Sequence, residues 1–241
     1  AFAAVGSTGT ITFLVFGWII GLTSGFGILI SQAFGLQDQG RIKHYVAMST
    51  YLCLAFAVVM TIGLLAANTF ILRMMNTPEQ IFTDTKIYIG IIYAGIPFTI
   101  LYNMLAAIAR AFGDSKTPVR FLIVSSVLNV ILDYVLVVLI PMGVSGAAYA
   151  TVISQAISAL LCLGYEWKTY SAIHLEKESA KLSWKTIGKM LAIGIPIGLQ
   201  FSVTAIGTMI VQSSLNLLGA THIAAFSAAK KIQNIVEQFY A

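Results

Sequence analysis

Asp133 is the only charged side chain in the stretch 121–165. If that stretch crosses a bilayer, an ionised carboxylate there costs about 2.5–3.5 kcal/mol near the midplane and needs partners or a water-filled cavity. Partners of a suitable kind stand at helical spacing. Asn129 is four residues before Asp133, so the two share a helix face, and Ser126 continues that face by another turn. Thr151, Gln155 and Ser158 form a second polar stripe. A carboxylate, an amide oxygen and a hydroxyl are hard oxygen donors suited to a small cation, and the carboxylate can hold a proton instead. The same groups can tie two helices together through hydrogen bonds, and residue types alone leave both readings open.

Little else in the chain offers chemistry. His44, His174 and His222 are scattered with no metal-binding pair among them, and there is no GxSxG, P-loop or HExxH motif. Cys53 and Cys162 fall inside apolar stretches and read as packing residues. A membrane-embedded enzyme needs at least two catalytic side chains at one depth, and an ATP-driven pump needs a nucleotide site. The expectation is a protein without enzymatic activity and without a cofactor.

The elements that must position Asp133 follow from composition. The chain is 58% apolar and 10% charged, with a mean hydropathy of +0.88, against about 25% charged in an ordinary soluble domain. Residues 1–37, 45–72, 87–109 and 190–229 carry no charge at all. Such runs exceed the roughly 20 apolar residues that a helix needs to cross the hydrocarbon core. They predict an all-α membrane protein with six spanning helices and the start of a seventh. The spans are expected over 10–32, 45–71, 87–109, 121–140, 147–165 and 190–218, with the seventh from about Ile223. The stretch 121–165 is too long for one crossing and is cut at Pro141-Met142-Gly143-Val144-Ser145-Gly146. That short turn makes its two helices antiparallel neighbours and places Asp133 and Thr151 at similar depths. At a rise of about 1.5 Å per residue, Asp133 lies roughly 10–12 Å inside the outer end of its helix.

Two glycine patterns have architectural readings. Gly17, Gly21 and Gly25 recur every four residues and leave a smooth face for close helix packing. Gly194-Ile195-Pro196-Ile197-Gly198 removes a backbone hydrogen bond inside the sixth span and is expected to bend it.

Orientation comes from the loops. The connections after the first, third and fifth spans carry ten Lys and Arg residues, against Arg73 and Lys86 on the other side. The basic loops belong in the cytoplasm, so the net charge of +5 reflects those loops rather than nucleic-acid binding. The first span then enters from outside, which suggests a preceding helix. Setting His222–Val236 on Ala1–Val15 aligns Ala3, Ala4, Ile11 and Val15 with identical residues at an offset of 221. Six crossings fit in that offset, so the expected parent has two six-helix repeats, a common plan among secondary transporters.

With these features the chain resembles the multidrug and toxic compound extrusion (MATE) family, as its second to seventh helices and the start of its eighth. The likeness rests on Ala3-Ala4-Val5-Gly6, on Ile30-Ser31-Gln32 with Gly35, and on Arg110-Ala111-Phe112-Gly113-Asp114-Ser115-Lys116-Thr117-Pro118. Asn129 with Asp133, and Gly143-Val144-Ser145-Gly146-Ala147-Ala148-Tyr149-Ala150-Thr151, add to it. The resemblance implies a two-lobe fold of twelve helices and export of cationic or amphipathic drug-like compounds in antiport with H⁺ or Na⁺. It divides the chain into an amino-terminal lobe lacking its first helix (1–165), a cytoplasmic amphipathic connector (166–189) and the start of a carboxy-terminal lobe (190–241). It implies a cation site of Asp133, Asn129 and Thr151 with the carbonyl of Ala147; the family's first-helix Asp has no counterpart here. It also implies a multi-pass protein of the bacterial inner membrane, monomeric when complete, with lipid and drug-like molecules as partners and no nucleic acid. A lipid-linked oligosaccharide flippase of the same superfamily and a non-transporting structural subunit are the alternatives.

The charge bias makes a topological prediction. Single cysteines at Gln39, Ser115 and Ser179, on a background lacking Cys53 and Cys162, are expected to resist an impermeant thiol reagent in intact cells. Labelling of any of the three from outside would reverse the orientation.

Overall fold

The computed structural model describes residues 8–74, 79–174 and 180–217. The expected seventh helix from Ile223, its alignment with the first residues, Ala3-Ala4-Val5-Gly6 and the Met75–Pro78 turn lie outside the described residues. Helix α1 spans Gly9–Gly35, α2 Gln39–Met74, α3 Glu79–Ala94, α4 Ile96–Ala111, α5 Lys116–Asp133, α6 Gly143–Thr169 and α7 Trp184–Leu217. A π-helical stretch, Tyr134–Leu139, continues α5, and a 3₁₀ turn, Ser171–Ile173, follows α6. Among the described residues, five helices are long and apolar enough to cross a bilayer, and α3 with α4 makes a sixth span.

That pair covers the span expected over 87–109 and has a bend inside it. It is bent by 43° between Ala94 and Ile96. Pro97, in the first turn of α4, has no N–H to continue the ladder of α3. Gly95 admits a neighbour at the bend, since a Cβ there would stand 2.6 Å from the Cγ2 of Val152 on α6.

The loops are set by local chemistry. Asp38 starts α2: its carboxylate accepts the Arg41 backbone N–H at 3.0 Å and pairs with the Arg41 guanidinium at 2.9 Å. Helix α4 ends at Gly113, whose φ of +86° suits glycine. There the Asp114 backbone N–H reaches the Ala109 carbonyl at 2.9 Å. Asp114 then opens α5, with Oδ1 accepting the backbone N–H groups of Lys116 (3.2 Å) and Thr117 (3.0 Å). Its Oδ2 accepts the Tyr170 hydroxyl at 3.2 Å, which joins the start of α5 to the chain beyond α6.

Lipid tails are as apolar as leucine, so helices in a bilayer associate through close van der Waals packing and interhelical hydrogen bonds. The glycine stripe of α1 supplies that packing against α7. A Cβ on Gly21 would lie 2.5 Å from the Gly198 Cα, and one on Gly25 would lie 2.5 Å from the Gly194 Cα. The two backbones touch. Pro196 stands between those glycines inside α7 without ending it. Helix α1 buries Ile19, Leu22, Phe26 and Ile30 in the core. By contrast α2 exposes Leu54, Val58, Val59 and Ile62, and α5 exposes Leu122, Ile123, Val127 and Val130. Apolar surface of that extent suits contact with lipid.

Two predictions follow from these contacts. Gly21→Val is expected to force α1 from α7 and to destabilise the protein by about 1–3 kcal/mol. Gly63→Ala, at a position with open space around it, serves as the tolerated control, and thermal melting in detergent compares them. At Asp114, the side-chain and backbone hydrogen bonds of Thr117 hold the carboxyl below its ordinary value of 3.8. Its contribution is therefore present above the ordinary carboxylate range and is lost as pH falls through the lowered value. Asp114→Ala is expected to cost about 1 kcal/mol at neutral pH. In melts against pH, that difference should shrink on acidification.

Candidate functional site

The short turn at Pro141 makes α5 and α6 antiparallel neighbours, as expected from the sequence. Gly143, with φ +62°, starts α6, and Gly146 lets α6 approach the π-helical stretch: a Cβ there would stand 2.9 Å from the Leu136 carbonyl oxygen. This hairpin brings together three of the four expected site residues. The Thr151 hydroxyl donates to the Ala147 carbonyl at 3.0 Å. Its lone pairs face α5, where the Asn129 amide N–H reaches it at 3.5 Å.

Asp133 stands one turn further along α5, on the face of Asn129. Its Oδ1 is shielded from solvent and has no hydrogen-bond partner among the described residues, and Tyr88 of α3 lies within its electrostatic range. The backbone widens into π-helix at the next residue; π-helical turns inside α-helices are frequent at functional sites. Ser126 is not part of the cluster, because its hydroxyl is exposed and donates to the Leu122 carbonyl at 2.9 Å.

The second polar stripe has its own role. The Thr99 hydroxyl of α4 donates to Gln155 Oε1 at 2.6 Å, and Asn103 donates to the Thr99 carbonyl at 2.8 Å. Ser158 donates to the Phe121 carbonyl at 2.9 Å. Beside these bonds lies a cavity of about 440 Å³ between α1, α4, α5 and α6, lined by Phe16, Ile20, Thr99, Asn103, Gln155 and Arg110 among others. Its walls are mostly apolar with a few polar groups, as in pockets that take small organic molecules.

Sequence reasoning missed Thr99, Asn103 and Glu166. The first two were detectable, being polar residues four apart in an uncharged span. Glu166 was placed at the start of the connector, but α6 runs on to Thr169 and Glu166 is fully buried. Its neighbours Trp167 and Lys168 give it the look of a helix end. No group of three or more His, Cys, Asp or Glu side chains able to hold a metal ion occurs among the described residues.

Asp133 supplies a charge on α5, and the Asn129 amide oxygen beside it and the Thr151 hydroxyl and Ala147 carbonyl on α6 are hard neutral oxygens, a donor set of the kind that suits a small cation or a proton.

Comparisons with known proteins agree with this architecture. The family model described as MatE matches residues 1–135. The probable multidrug resistance protein YpnP of Bacillus subtilis (strain 168) is 34% identical over 245 residues, which cover 97% of this chain and 52% of that protein. The multidrug export protein MepA of Staphylococcus aureus (strain NCTC 8325 / PS 47) is 25% identical, over 95% of this chain and 51% of its own length. Among solved structures, the inward-facing conformation of a multidrug resistance MATE family transporter of the MOP superfamily superposes with a TM-score of 0.86. It is 23% identical, over 97% of this chain and 53% of that one. The chain thus has the fold of one half of such a transporter and spans about half the length of the curated relatives it matches. It is a multi-pass membrane protein with bacterial relatives.

Proposed function

The chain belongs to the MatE family, and on that footing we propose that it forms half of a multidrug exporter that exchanges cationic or amphipathic drug-like compounds for inward-moving H⁺ or Na⁺. The observation that carries the coupling role is the Asp133 carboxyl: a shielded, unpartnered oxygen one turn from the Asn129–Thr151–Ala147 chain of hydrogen bonds. A carboxylate serving only to join helices would be expected to spend both oxygens on them. Here the shielded Oδ1 is left for a ligand. A cation or proton arriving there removes the penalty of a bare charge among apolar side chains. Occupancy of the site thereby favours whichever packing of α5 on α6 encloses it.

The cavity beside Thr99, Asn103 and Gln155 is the proposed drug site. It shares α5 and α6 with Asp133, so a change in their packing at one site is felt at the other. In this reading residues 1–165 form the amino-terminal lobe, 166–189 the cytoplasmic connector and 190–241 the start of the second lobe. The complete exporter is a monomer of the bacterial inner membrane. A flippase for lipid-linked oligosaccharides has less support, since a pyrophosphate calls for several basic side chains and Arg110 is the single one lining this cavity.

Efflux from vesicles containing the complete exporter, with an H⁺ or Na⁺ gradient imposed separately, tests the reading. Asp133→Asn keeps the shape and removes the charge, and is expected to insert normally and lose most ion-driven export. Asn129→Ala and Thr151→Ala each remove one neutral ligand and are expected to weaken ion dependence by about tenfold. Wild-type rates and unchanged ion dependence in Asp133→Asn would leave Asp133 a structural residue.

A further inference from the structure

The polar stripe of α6 does not stop at Ser158. Thr151, Gln155, Ser158, Cys162 and Glu166 follow one another at intervals of four, three, four and four residues, which keeps them on one helix face. That face runs about 22 Å at 1.5 Å per residue, from the Asn129 contact to the end of α6 that carries the basic loops. At that end Glu166 is 0% exposed. Its Oε1 accepts the Cys162 thiol at 3.2 Å, and its Oε2 is buried with no partner among the described residues.

Among the described residues Glu166 has no counter-ion. Asp114, in the α4–α5 loop, is near enough to interact with it electrostatically. The hydrogen bonds that Asp114 accepts from Thr117 favour its ionised form, so this neighbour brings a second negative charge. Tyr170, beyond the end of α6, gives its hydroxyl to Asp114. The other titratable and charged side chains on the described elements around this end are Tyr102 and Arg110 of α4, Lys116 and Arg120 of α5, Tyr165 and Lys168 of α6, His174 beyond it, and Arg41, Lys43, His44, Tyr45 and Tyr51 of α2. None forms an ion pair with Glu166. A buried carboxylate without a cation beside it costs several kcal/mol, and a proton on the carboxyl removes that cost.

We propose that Glu166 is a proton-binding site at the cytoplasmic end of this lobe, occupied in the conformation described and emptied to the cytoplasm when α6 moves away from the α4–α5 loop. The step is an acid dissociation: the O–H bond of the carboxyl breaks, its electron pair stays on the oxygen, and water at the cytoplasmic face takes the proton. The site goes beyond the reading of Asp133 and stands whichever ion Asp133 binds.

Infrared difference spectroscopy of the complete exporter in lipid nanodiscs tests this directly. An Asp133→Asn background removes from the spectrum the other unpartnered buried carboxyl of the described residues. The expected result is a C=O stretch of a protonated carboxylic acid that is present at low pH, fades as pH is raised and is lost in Glu166→Gln. Cys162→Ala, which removes the thiol donor and leaves the acid, is expected to shift that band, and it serves if Glu166→Gln does not fold. A band that survives Glu166→Gln, or is unmoved in Cys162→Ala, would assign the proton elsewhere. A band that persists at every pH would make Glu166 a permanently neutral packing residue and overturn its role in proton exchange.

Discussion

Inside a bilayer a polar atom has no water to turn to, so each must find a partner within the protein or leave a cost behind. Most hydroxyls on these helices meet that demand locally. Thr23, Thr50, Ser126 and Ser202 donate to the carbonyl four residues back, and Ser49 and Ser154 to the one three back. A smaller set bonds across helices: Thr99 to Gln155, Asn129 to Thr151, Ser158 to the Phe121 carbonyl and Asn68 to the Lys86 carbonyl. These cross-links hold α4, α5 and α6 in register, and α2 with α3. A last set has buried oxygens with no partner, and among the described residues only Asp133 and Glu166 of that set are carboxyls. A hydroxyl or amide left unpaired is a modest cost, whereas an unpaired carboxylate is a large one that a cation or proton relieves.

The scaffold around these groups is divided by how closely its helices approach. Where α1 meets α7, glycine faces glycine and the backbones themselves are in contact, which leaves little room to slide. Helix α5 turns most of its side chains outward and widens into π-helix just past Asp133. The groups proposed to bind the ion therefore sit on a helix that turns most of its side chains outward, beside a cavity lined by α5 and α6. An element can couple two sites only if it has more than one arrangement of similar energy, and the hairpin fits that need better than the α1–α7 contact.

The helix ends that carry the basic loops form a second cluster. Phe34, Phe112 and Tyr170 stack in series, with ring centroids 5.2 Å and 4.8 Å apart. Asp114 links Tyr170 to the start of α5. The ends of α1, α4, α5 and α6 are thus tied at one point, beside the buried Glu166. Any rearrangement that parts these helix ends must break these contacts.

Much of this was legible in the sequence because the relevant physics is one-dimensional. Uncharged runs of bilayer length specify spans, and a spacing of four puts Asn129 and Asp133, or Gly21 and Gly25, on one face. Those readings need only the period of a helix and the thickness of a membrane. The tertiary structure decided what depends on which helix closes over which residue. It found Gly194 and Gly198 opposite the glycines of α1, and Gln155 opposite Thr99. It bent the third span at Gly95, where Val152 of α6 comes close. It also enclosed Glu166, which in the sequence stands beside Trp167 and Lys168 like any residue at a helix end. A sequence orders side chains along a helix, but burial is set by neighbours distant in the chain, and for a carboxyl that burial separates an ordinary surface charge from a site that must bind something.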